Sequence, residues 1–421
     1  MRALLTGSTR SGSARLVFGF VNCLTLIGCS ENNLDSGDTV KTLRVLGVQA
    51  QQPYAPPTTD PANPTRVEFT MLSHDGIRAP DLPARSIERI WFSGCEDLPG
   101  DLYYKCFPRI AGLWKLYTQT HSVGEIHDGM SWSPVDDLVA STPAERNAEL
   151  LPLLRQVNST ISPDLAEAYL RTYRIGVGNR FEYPVPPLVI ENHMPSTDPS
   201  VPSYGSAFVF FTLCAGYIKL NATWATVDLT SDMSDSTLGF PFDCLSDEDQ
   251  VRGPDDYVAG YTQEVIYAGS STNKNPVIDG VKFNGQTVDP SAYCLDGDCV
   301  PETAIATCDT PTIPHVPACS GENCTEYEWD PLLDAAKNNE ADLFQPASGT
   351  THGEQMWVDF YIDRGSLTSS ITNLRDATLG WFDNHSTKWT APQEKGLVNL
   401  WVVVHDNRAG TSWLRMLVCV D

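Results

Sequence analysis

Apolar and polar residues alternate along several segments in the second half of the chain. Val358, Phe360 and Ile362, for example, would share one face of a strand. This two-residue period is typical of strands that bury one face. A turn-rich sequence, Asp-Asn-Arg-Ala-Gly, separates the last two such segments, so residues 396–421 are predicted to form a β-hairpin. The strands predicted in this half are 276–283, 355–362, 397–404 and 413–420.

The first half carries a second series of strand signals. Residues 206–214 form an almost unbroken apolar run, which suits a central strand that is buried on both faces. Many short strands separated by Pro, Gly, Asn and Asp turns favour a mainly β protein built from β-sandwiches. The strands predicted in this half lie at 67–71, 87–93, 206–214, 217–226 and 257–268, and another begins at Leu43.

Helix signals are fewer. The sequence Thr-Pro-Ala-Glu at 142–145 places a capping residue, a proline and an early acid before a run of leucines. Ser-Pro-Asp at 162–164 repeats that start, so a helical insertion is predicted over about 134–175. Asp-Pro at 330–331 predicts a third, short helix that runs through Lys337.

The first 29 residues have the pattern of an export signal. Three arginines and no acid precede an apolar stretch over 16–28, which is too short to span a bilayer, since spanning takes about 20 residues. The stretch ends in Leu-Ile-Gly-Cys, which resembles the bacterial lipobox, whose cysteine is acylated and becomes the first mature residue. Cys29 is therefore the predicted lipidation site, and its acyl chains would anchor the protein in a lipid bilayer. Ser30, and not aspartate, follows it, which favours the outer membrane.

These signals divide the chain into four parts. Residues 270–276 have the Ser, Thr, Asn and Pro composition of a linker between two sandwiches. Residues 286–326 hold five cysteines and little periodicity. They are predicted to form an irregular excursion from the second sandwich that is cross-linked, or stapled, by disulfides. The predicted parts are a signal peptide (1–28), a lipidated tether (29–40), a first sandwich with the helical insertion (41–270) and a second sandwich (275–421).

Composition restricts the partners. The chain has 421 residues, with 53 acidic against 28 basic side chains and a formal net charge of −25. Removing the signal would remove three arginines and no acid, so the mature charge would be more negative still. Such a surface repels nucleic acid, which excludes a nucleic-acid partner.

Cysteine usage agrees with export. Of twelve cysteines, Cys23 would leave with the signal and Cys29 would carry lipid, which leaves an even number for disulfides. Two Cys-x4-Cys pairs could instead hold zinc, but thiols oxidise outside the cytoplasm, so disulfides are favoured. The remaining ten are Cys95, Cys106, Cys214, Cys244, Cys294, Cys299, Cys308, Cys319, Cys324 and Cys419. The pairings expected from their modest loops are Cys294–Cys299, Cys95–Cys106 and Cys214–Cys244.

Catalytic and metal-binding signals are weak. None of the eight histidines lies in a His-Glu-x-x-His motif, and the chain contains no Gly-x-Ser-x-Gly elbow, Walker A or Gly-x-Gly-x-x-Gly sequence. We therefore expect no enzymatic activity and no cofactor; a hydrolase whose site assembles from scattered acids is the alternative. Asp296 and Asp298 are the weak calcium candidates, because no complete calcium loop surrounds them.

Tryptophans in the second half allow two interpretations, a sugar-binding platform or hydrophobic packing. Packing is favoured, because aromatic residues on strands usually serve a core or a hairpin. Trp401 lies opposite the predicted core face of its strand, so we expect it to be partly exposed and to pack against Trp413. The tryptophans concerned are Trp357, Trp381, Trp389, Trp401 and Trp413.

Short motifs spread over most of the mature chain resemble those of a large group of lipoproteins from myxobacteria and related δ-proteobacteria. The Trp-Thr-Ala-Pro element at 389–392 and the last hairpin carry most of this resemblance. The resemblance implies two immunoglobulin-like domains in tandem and a cell-envelope location, and it implies no reaction. The motifs lie at 43–46, 210–216, 240–244, 255–261, 275–278, 380–382, 388–392 and 401–413.

Together these observations predict a lipid-anchored envelope protein with a structural, adhesive or ligand-binding role. Its partner would be another envelope protein or a glycan. We expect the binding surface on the helical insertion or on the stapled segment 286–326, because loops on rigid scaffolds carry recognition. The alternative is an extracytoplasmic hydrolase or a calcium-dependent binding module.

Overall fold

Strands dominate the secondary structure of the computed structural model, and they form five sheets among the residues that it describes. Residues 1–36, which include Cys29, the predicted signal peptide and most of the predicted tether, lie outside those residues. The structure describes 37–77, 85–96, 103–122, 129–137, 166–193, 202–227, 238–269, 273–296, 307–321, 324–340 and 353–421, with a few single positions between 142 and 148.

The first half is a sandwich-like arrangement of two larger sheets and one smaller sheet. A three-stranded sheet, β1-β3-β7, faces a six-stranded sheet, β2-β11-β8-β4-β6-β5, while β9 pairs with β10. Between the larger sheets, Trp91 stacks on Phe181 with ring centroids 5.7 Å apart. The strands are β1 (Leu43–Ala50), β2 (Tyr54–Ala55), β3 (Arg66–Asp75), β4 (Glu88–Glu96), β5 (Ser131–Trp132), β6 (Ile175–Val177), β7 (Arg180–Pro184), β8 (Tyr204–Cys214), β9 (Tyr217–Leu220), β10 (Phe242–Leu245) and β11 (Tyr257–Tyr267).

The second half packs a five-stranded sheet on a seven-stranded one. Their orders are β13-β12-β16-β21-β18 and β14-β23-β22-β17-β19-β20, with β15 also paired to β23. Trp329 of one sheet meets Phe360 of the other, with centroids 5.2 Å apart. The strands are β12 (Gly280–Phe283), β13 (Gln286–Thr287), β14 (Tyr293–Leu295), β15 (His315–Val316), β16 (Glu326–Leu332), β17 (Met356–Ile362), β18 (Ser366–Leu367), β19 (Ile371–Asp376), β20 (Gly380–Trp381), β21 (Thr387–Thr390), β22 (Gly396–Asp406) and β23 (Thr411–Val420).

Helices are short, and none of those described has the length and apolar character needed to cross a membrane. They are α1 (Phe107–Thr120), α2 (Ala166–Leu170) and α3 (Ala222–Thr226), with 3-10 turns at Tyr103–Cys106 and Pro290–Ala292. Helix α1 buries Ile110, Leu113, Trp114 and Tyr117. Trp114 meets Phe92 of β4 edge to face at 5.9 Å, so the helix covers the outer face of the six-stranded sheet.

A second apolar interface joins the two halves, and residues 38–421 form one compact unit. Trp401 and Trp413, on the outer face of β22 and β23, pack with Leu46 of β1 and Leu72 of β3. A Cβ atom on Gly47 would lie 3.3 Å from the Trp413 ring, so β1 approaches the ring closely at this glycine. The chain enters this unit along the second half, because Val40 N donates a hydrogen bond to Ile362 O at 2.7 Å.

Most predicted strands are confirmed, and the predicted hairpin is β22–β23, in which His405 faces Thr411. The helix predicted from Asp-Pro at 330–331 is wrong, because those residues extend β16 and pair with β12. Pro331 is tolerated there because β21 pairs only with 326–329, which leaves β16 one neighbour at that point.

One predicted strand is shorter than expected, and one predicted helical segment lies mostly outside the described residues. The strand predicted over 217–226 stops at Leu220, because the Asn221 side chain accepts the Trp224 amide at 3.0 Å and caps α3. Most of the predicted insertion 134–175 lies outside the described residues. The helix start predicted within it at 142–145 has the expected capping contacts. Glu145 N donates to Thr142 Oγ1 at 3.2 Å, and Thr142 N donates to a Glu145 carboxylate oxygen at 2.9 Å.

Candidate functional site

A groove of about 430 Å3 opens in the second half, between an edge of each sheet. Its walls are β13, the edge strand of the five-stranded sheet, and the segment that contains β15. It therefore lies largely within the predicted excursion 286–326. Its lining residues are Phe283, Asn284, Gln286, Thr287, Val288, Asp289, Pro311, Thr312, Ile313, Pro314, His315, Val316 and Tyr327.

A tight hairpin between β12 and β13 forms the first wall. Phe283 pairs with Gln286, so the turn between them has only two residues. Those residues, Asn284 and Gly285, have φ angles of 51° and 76°, as a type I′ turn requires. Gln286 shares its face with buried Phe283 and therefore extends towards the groove.

The second wall is held to the last strand. Cys308 is disulfide-bonded to Cys419 of β23. Cys419 N donates to Pro314 O at 2.9 Å, and Asp421 N donates to Val316 O at 2.8 Å. The His315 side chain also lies 3.0 Å from an Asp421 carboxylate oxygen. One covalent bond and a parallel ladder therefore fix this wall before any ligand arrives.

Aromatic residues form the floor. The rings of Phe283 and Tyr327 stack with centroids 5.6 Å apart, and Tyr327 lies 6.0 Å from Trp389. Phe283 and Tyr327 are only 7% and 8% exposed. Because so little ring surface is open, the floor accepts an apolar side chain better than it could stack a sugar ring.

The strand edges present main-chain groups to the groove. Lys282–Thr287 is the pair next to the turn pair, and Val288 N already donates back to Val281 O, so the Thr287 N–H and C=O point away from β12. On the other wall, Pro314 and Val316 turn their carbonyls to β23, so the N–H and C=O of His315 point to the opposite side. Among the described strands, β13 and β15 pair with their own sheets and not with each other.

A larger depression, of about 480 Å3, lies along the turn 246–256, and several of its polar groups are already engaged with one another. Ser246 Oγ donates to Glu248 at 2.8 Å, and Asp256 forms ion pairs with Arg85 and Arg252. Val251 is its one apolar lining residue and is 70% exposed. It is a solvated turn, so the groove is the better candidate.

Among the described residues, four disulfides join eight of the ten cysteines that were expected to form them. The structure joins Cys95 to Cys106 and Cys214 to Cys244, the two pairings expected from loop length in the first half. It also joins Cys308 to Cys419 and Cys319 to Cys324. Cys294 is disulfide-bonded as well, and Cys299, its expected partner, lies outside the described residues.

The calcium candidates do not assemble into a site among the described residues. Asp296 accepts the Trp413 backbone amide on its carboxylate at 2.9 Å and the Trp413 indole N–H on its carbonyl at 2.6 Å. Asp296 therefore stabilises the β22–β23 hairpin through Trp413. Asp298 lies outside the described residues. His315, Cys419 and Asp421 approach one another as metal ligands would, but Cys419 is consumed by its disulfide, which leaves two ligands.

The positions of the tryptophans favour hydrophobic packing over a sugar-binding platform. Trp389 and Trp413 are fully buried. The expectation that Trp401 is partly exposed is wrong, since it is 1% exposed and its ring lies 4.6 Å from that of His74. The outer face of β22 is covered by β1 and β3, which a pattern within one strand does not reveal. Trp357 and Trp381 are half-buried, and Trp357 stacks on His405 at 5.3 Å.

Among the described residues, one arrangement of side chains resembles a hydrolase site. His405 contacts Thr411 Oγ1 and Asp359 Oδ2, each at 3.2 Å, which is the order of groups in a nucleophile–base–acid relay. Thr411 is only 6% exposed, at the edge of the interface between the halves. A substrate could not reach its hydroxyl unless β22–β23 moved.

Two buried acids lie in the first sandwich. Glu96 and Glu264 are both in register with Ala207, one on each neighbouring strand. Burial raises the pKa of Glu96 to about 7 and that of Glu264 well above its ordinary range. The Ala55 amide favours the charged form of Glu264 without reaching hydrogen-bonding geometry. Glu264 is fully buried, so the pair lacks the access that a catalytic site needs.

A buried charged cluster surrounds the β22–β23 turn. Arg408, 5% exposed, forms ion pairs with Glu340 and Glu354, the latter at 3.1 Å. The Asp406 carboxylate accepts the Arg408 backbone amide at 2.7 Å, and Asn273 of the predicted linker donates to Arg408 O at 2.8 Å. The guanidinium occupies the place that a cation would need, so this cluster is structural.

Sequence reasoning missed the groove, although one signal for it was present. Asn284-Gly285 is the dipeptide most typical of a two-residue hairpin, and it follows an apolar strand. It would have placed a strand edge at 286–287. The opposite wall carries no such local signal, because it depends on pairing with a strand more than 100 residues later in the sequence.

Comparison of the sequence with protein-family models and with curated proteins finds no match in either case. The resemblance to myxobacterial lipoproteins therefore stays a prediction from the motifs.

Proposed function

We propose that this chain is a lipid-anchored protein of the bacterial cell envelope that binds another envelope component through the groove of its second sandwich. In this proposal Cys29 carries the acyl chains in the outer membrane, and two immunoglobulin-like domains, the first with a helical insertion, follow the tether. The groove is the observation that carries the binding role. It combines an apolar floor with a polar rim, and its volume falls in the usual range of ligand sites, about 300–1,000 Å3.

Preorganisation supports binding at this place. The Cys308–Cys419 bond and the type I′ turn hold both walls without a ligand. A ligand therefore does not need to order either wall, which would otherwise cost affinity. The buried positions of Thr411 and Glu264 weigh against the hydrolase alternative. The pairing of Asp296 with Trp413 weighs against a calcium-dependent module at that loop.

The anchor is tested by metabolic labelling with an alkyne analogue of palmitate in the bacterium that makes the protein. The wild type is expected to be labelled and to fractionate with membranes, and Cys29→Ala should lose both properties. Cys23→Ala is the matched control, since that cysteine lies within the signal and should be dispensable. An unlabelled wild-type protein would remove the anchor from the proposal.

The groove is tested with purified full-length protein and isolated envelopes from cells that lack it. Gln286→Trp fills the groove and should abolish saturable binding to the envelopes. Gln250→Trp is the matched control, because Gln250 lies in the other depression. Equal binding by both variants and the wild type would show that the groove is not the binding site.

A further inference from the structure

We infer that the occupant of the groove is an extended, basic peptide segment of another envelope protein, which adds a strand between β13 and β15. This inference rests on the proposed binding role of the groove and goes further by naming the ligand and how it is held. Main-chain hydrogen bonds would supply affinity, and alternate side chains would enter the groove or face solvent.

The orientation of the main chain is the first argument. Thr287 on one wall and His315 on the other each direct a backbone N–H and C=O away from their own sheet. Both residues line the same groove. An extended peptide is the ligand whose donors and acceptors repeat along its length and match such edges, whereas a sugar offers no such repeat.

The floor is the second argument. Val288, Ile313 and Val316 border the aromatic pair, and each is buried except for 4–6% of its surface. Small apolar side chains at alternate positions of a peptide would cover that remaining surface. The intervening residues of the peptide would face water, which fits the polar rim of Asn284 and Thr312.

Charge is the third argument. The chain carries 53 acidic and 28 basic side chains, so its field attracts cations. Asp289 lies on the groove rim, and Asp421 lies beside His315. A basic segment would therefore be favoured over an acidic one, more strongly at low salt than at high salt.

The probe is a blocked heptapeptide, Lys-Thr-Val-Thr-Val-Thr-Lys, labelled with a fluorophore and titrated with full-length protein while its anisotropy is followed. We expect saturable binding. Methylation of the central amide nitrogens should weaken it at least about tenfold, because those donors would then be lost. Exchange of both lysines for glutamates should weaken it as well, and this difference should shrink at high salt.

Matched variants separate the main chain from the side chains. Thr287→Pro and His315→Pro remove one edge N–H each without breaking a bond to a neighbouring strand, so one or both should weaken binding at least about tenfold. Thr287→Ala and His315→Ala keep the N–H and should bind within about twofold of the wild type. Thermal unfolding of all four variants verifies that the fold is retained. If a proline variant unfolds at a clearly lower temperature than the wild type, the N-methylated peptide provides the deciding measurement instead.

Three outcomes would overturn the inference. They are no binding of the parent peptide at about 1 mM, equal binding of the N-methylated peptide, and equal loss in the alanine and proline variants. If an envelope oligosaccharide competes for the groove and the peptide does not, the occupant is a glycan; the groove as a binding site then survives. The binding role itself fails only if Gln286→Trp leaves envelope binding unchanged.

Discussion

The junction between the halves and one wall of the groove belong to the same seven-stranded sheet, but only the junction is covered by described strands of the other half. At the junction, β1 and β3 cover the outer face of β22 and β23, and Trp401 and Trp413 are buried. At the groove, no strand of the described residues pairs with the outer edges of β13 and β15. The outer face of this sheet is closed at the junction, whereas strand edges are accessible at the groove, which makes the groove the better candidate for recognition.

The two places also differ in the groups they use. Beside the apolar junction, the β22–β23 turn buries ionised side chains that compensate one another, as Arg408 does with Glu340 and Glu354. The Arg408 guanidinium also lies 5.8 Å from the ring centroid of Tyr54 in the first half, so this cluster belongs to the junction. The groove buries apolar side chains and offers neutral main-chain groups at its rim. Perturbing the junction should therefore change stability and spare binding, and perturbing the groove should do the reverse.

The largest expected effect comes from the bond that links groove and sheet. Replacing Cys308 and Cys419 together by serine opens a loop with a sequence separation of 111. In the chain-entropy model this lowers the free energy of unfolding by about 5 kcal/mol, against about 2 kcal/mol for the five-residue separation of Cys319–Cys324. Urea unfolding of the two double variants measures the difference. Equal losses would show that the stabilisation does not depend on the length of the closed loop.

The next effect isolates the junction. Arg408→Met leaves Glu340 and Glu354 without their cation and should cost about 3–5 kcal/mol at pH 8. Heptapeptide affinity should not change, provided that the measurement is made where the variant is folded. Arg180→Met, which removes an exposed pair with Glu68, is the control and should cost no more than about 1 kcal/mol. A comparable loss in both would show that burial does not matter at the junction.

A smaller effect follows from proton uptake at the junction. Burial raises the pKa of Glu354 from its ordinary 4.5 to about 7, with the Asp406 charge adding to the shift and Arg408 opposing it. Between those two values the folded state binds more protons than the unfolded state, so stability falls as pH rises. The stabilisation is complete below pH 4.5 and is lost as pH passes about 7.

Solvent screening reduces that contribution to about 1–2 kcal/mol. Glu354→Gln should flatten the pH dependence of urea unfolding between pH 5 and 8 by this amount. Glu394→Gln, at an exposed position, should leave the curve unchanged. A wild-type protein that gains stability from pH 5 to 8 through Glu354 would contradict the assignment.

The smallest effect concerns the turn of the first groove wall. Gly285 has a φ of 76°, so Gly285→Ala should cost about 1 kcal/mol. The loss should appear in binding more clearly than in global stability, because β13 has only two residues. Gly239→Ala, where an added Cβ meets nothing within 4 Å and φ is ordinary, is the control. Unchanged peptide affinity in Gly285→Ala would show that the turn does not position the edge.

Local patterns predicted more of the fold than of the site. Strands such as β17 and β22 could be predicted because the two-residue period depends only on the strand and the core that it faces. Helix α1 was missed although Ile110, Leu113 and Trp114 follow a helical period. The burial of Trp401 could not be read in this way, because it depends on which distant strands cover that face. The second groove wall could not be predicted either, because ten cysteines allow about a thousand disulfide pairings.

The parallel pairing of β15 with β23 also sets an order of events. During synthesis, Pro314 and His315 emerge about 100 residues before Cys419, their partner in the finished wall. The groove therefore forms late, once β23 has been synthesised and has paired with β15. A chain synthesised only as far as β22 would carry the turn and the aromatic floor but no opposing edge, so it would offer the proposed peptide only one wall.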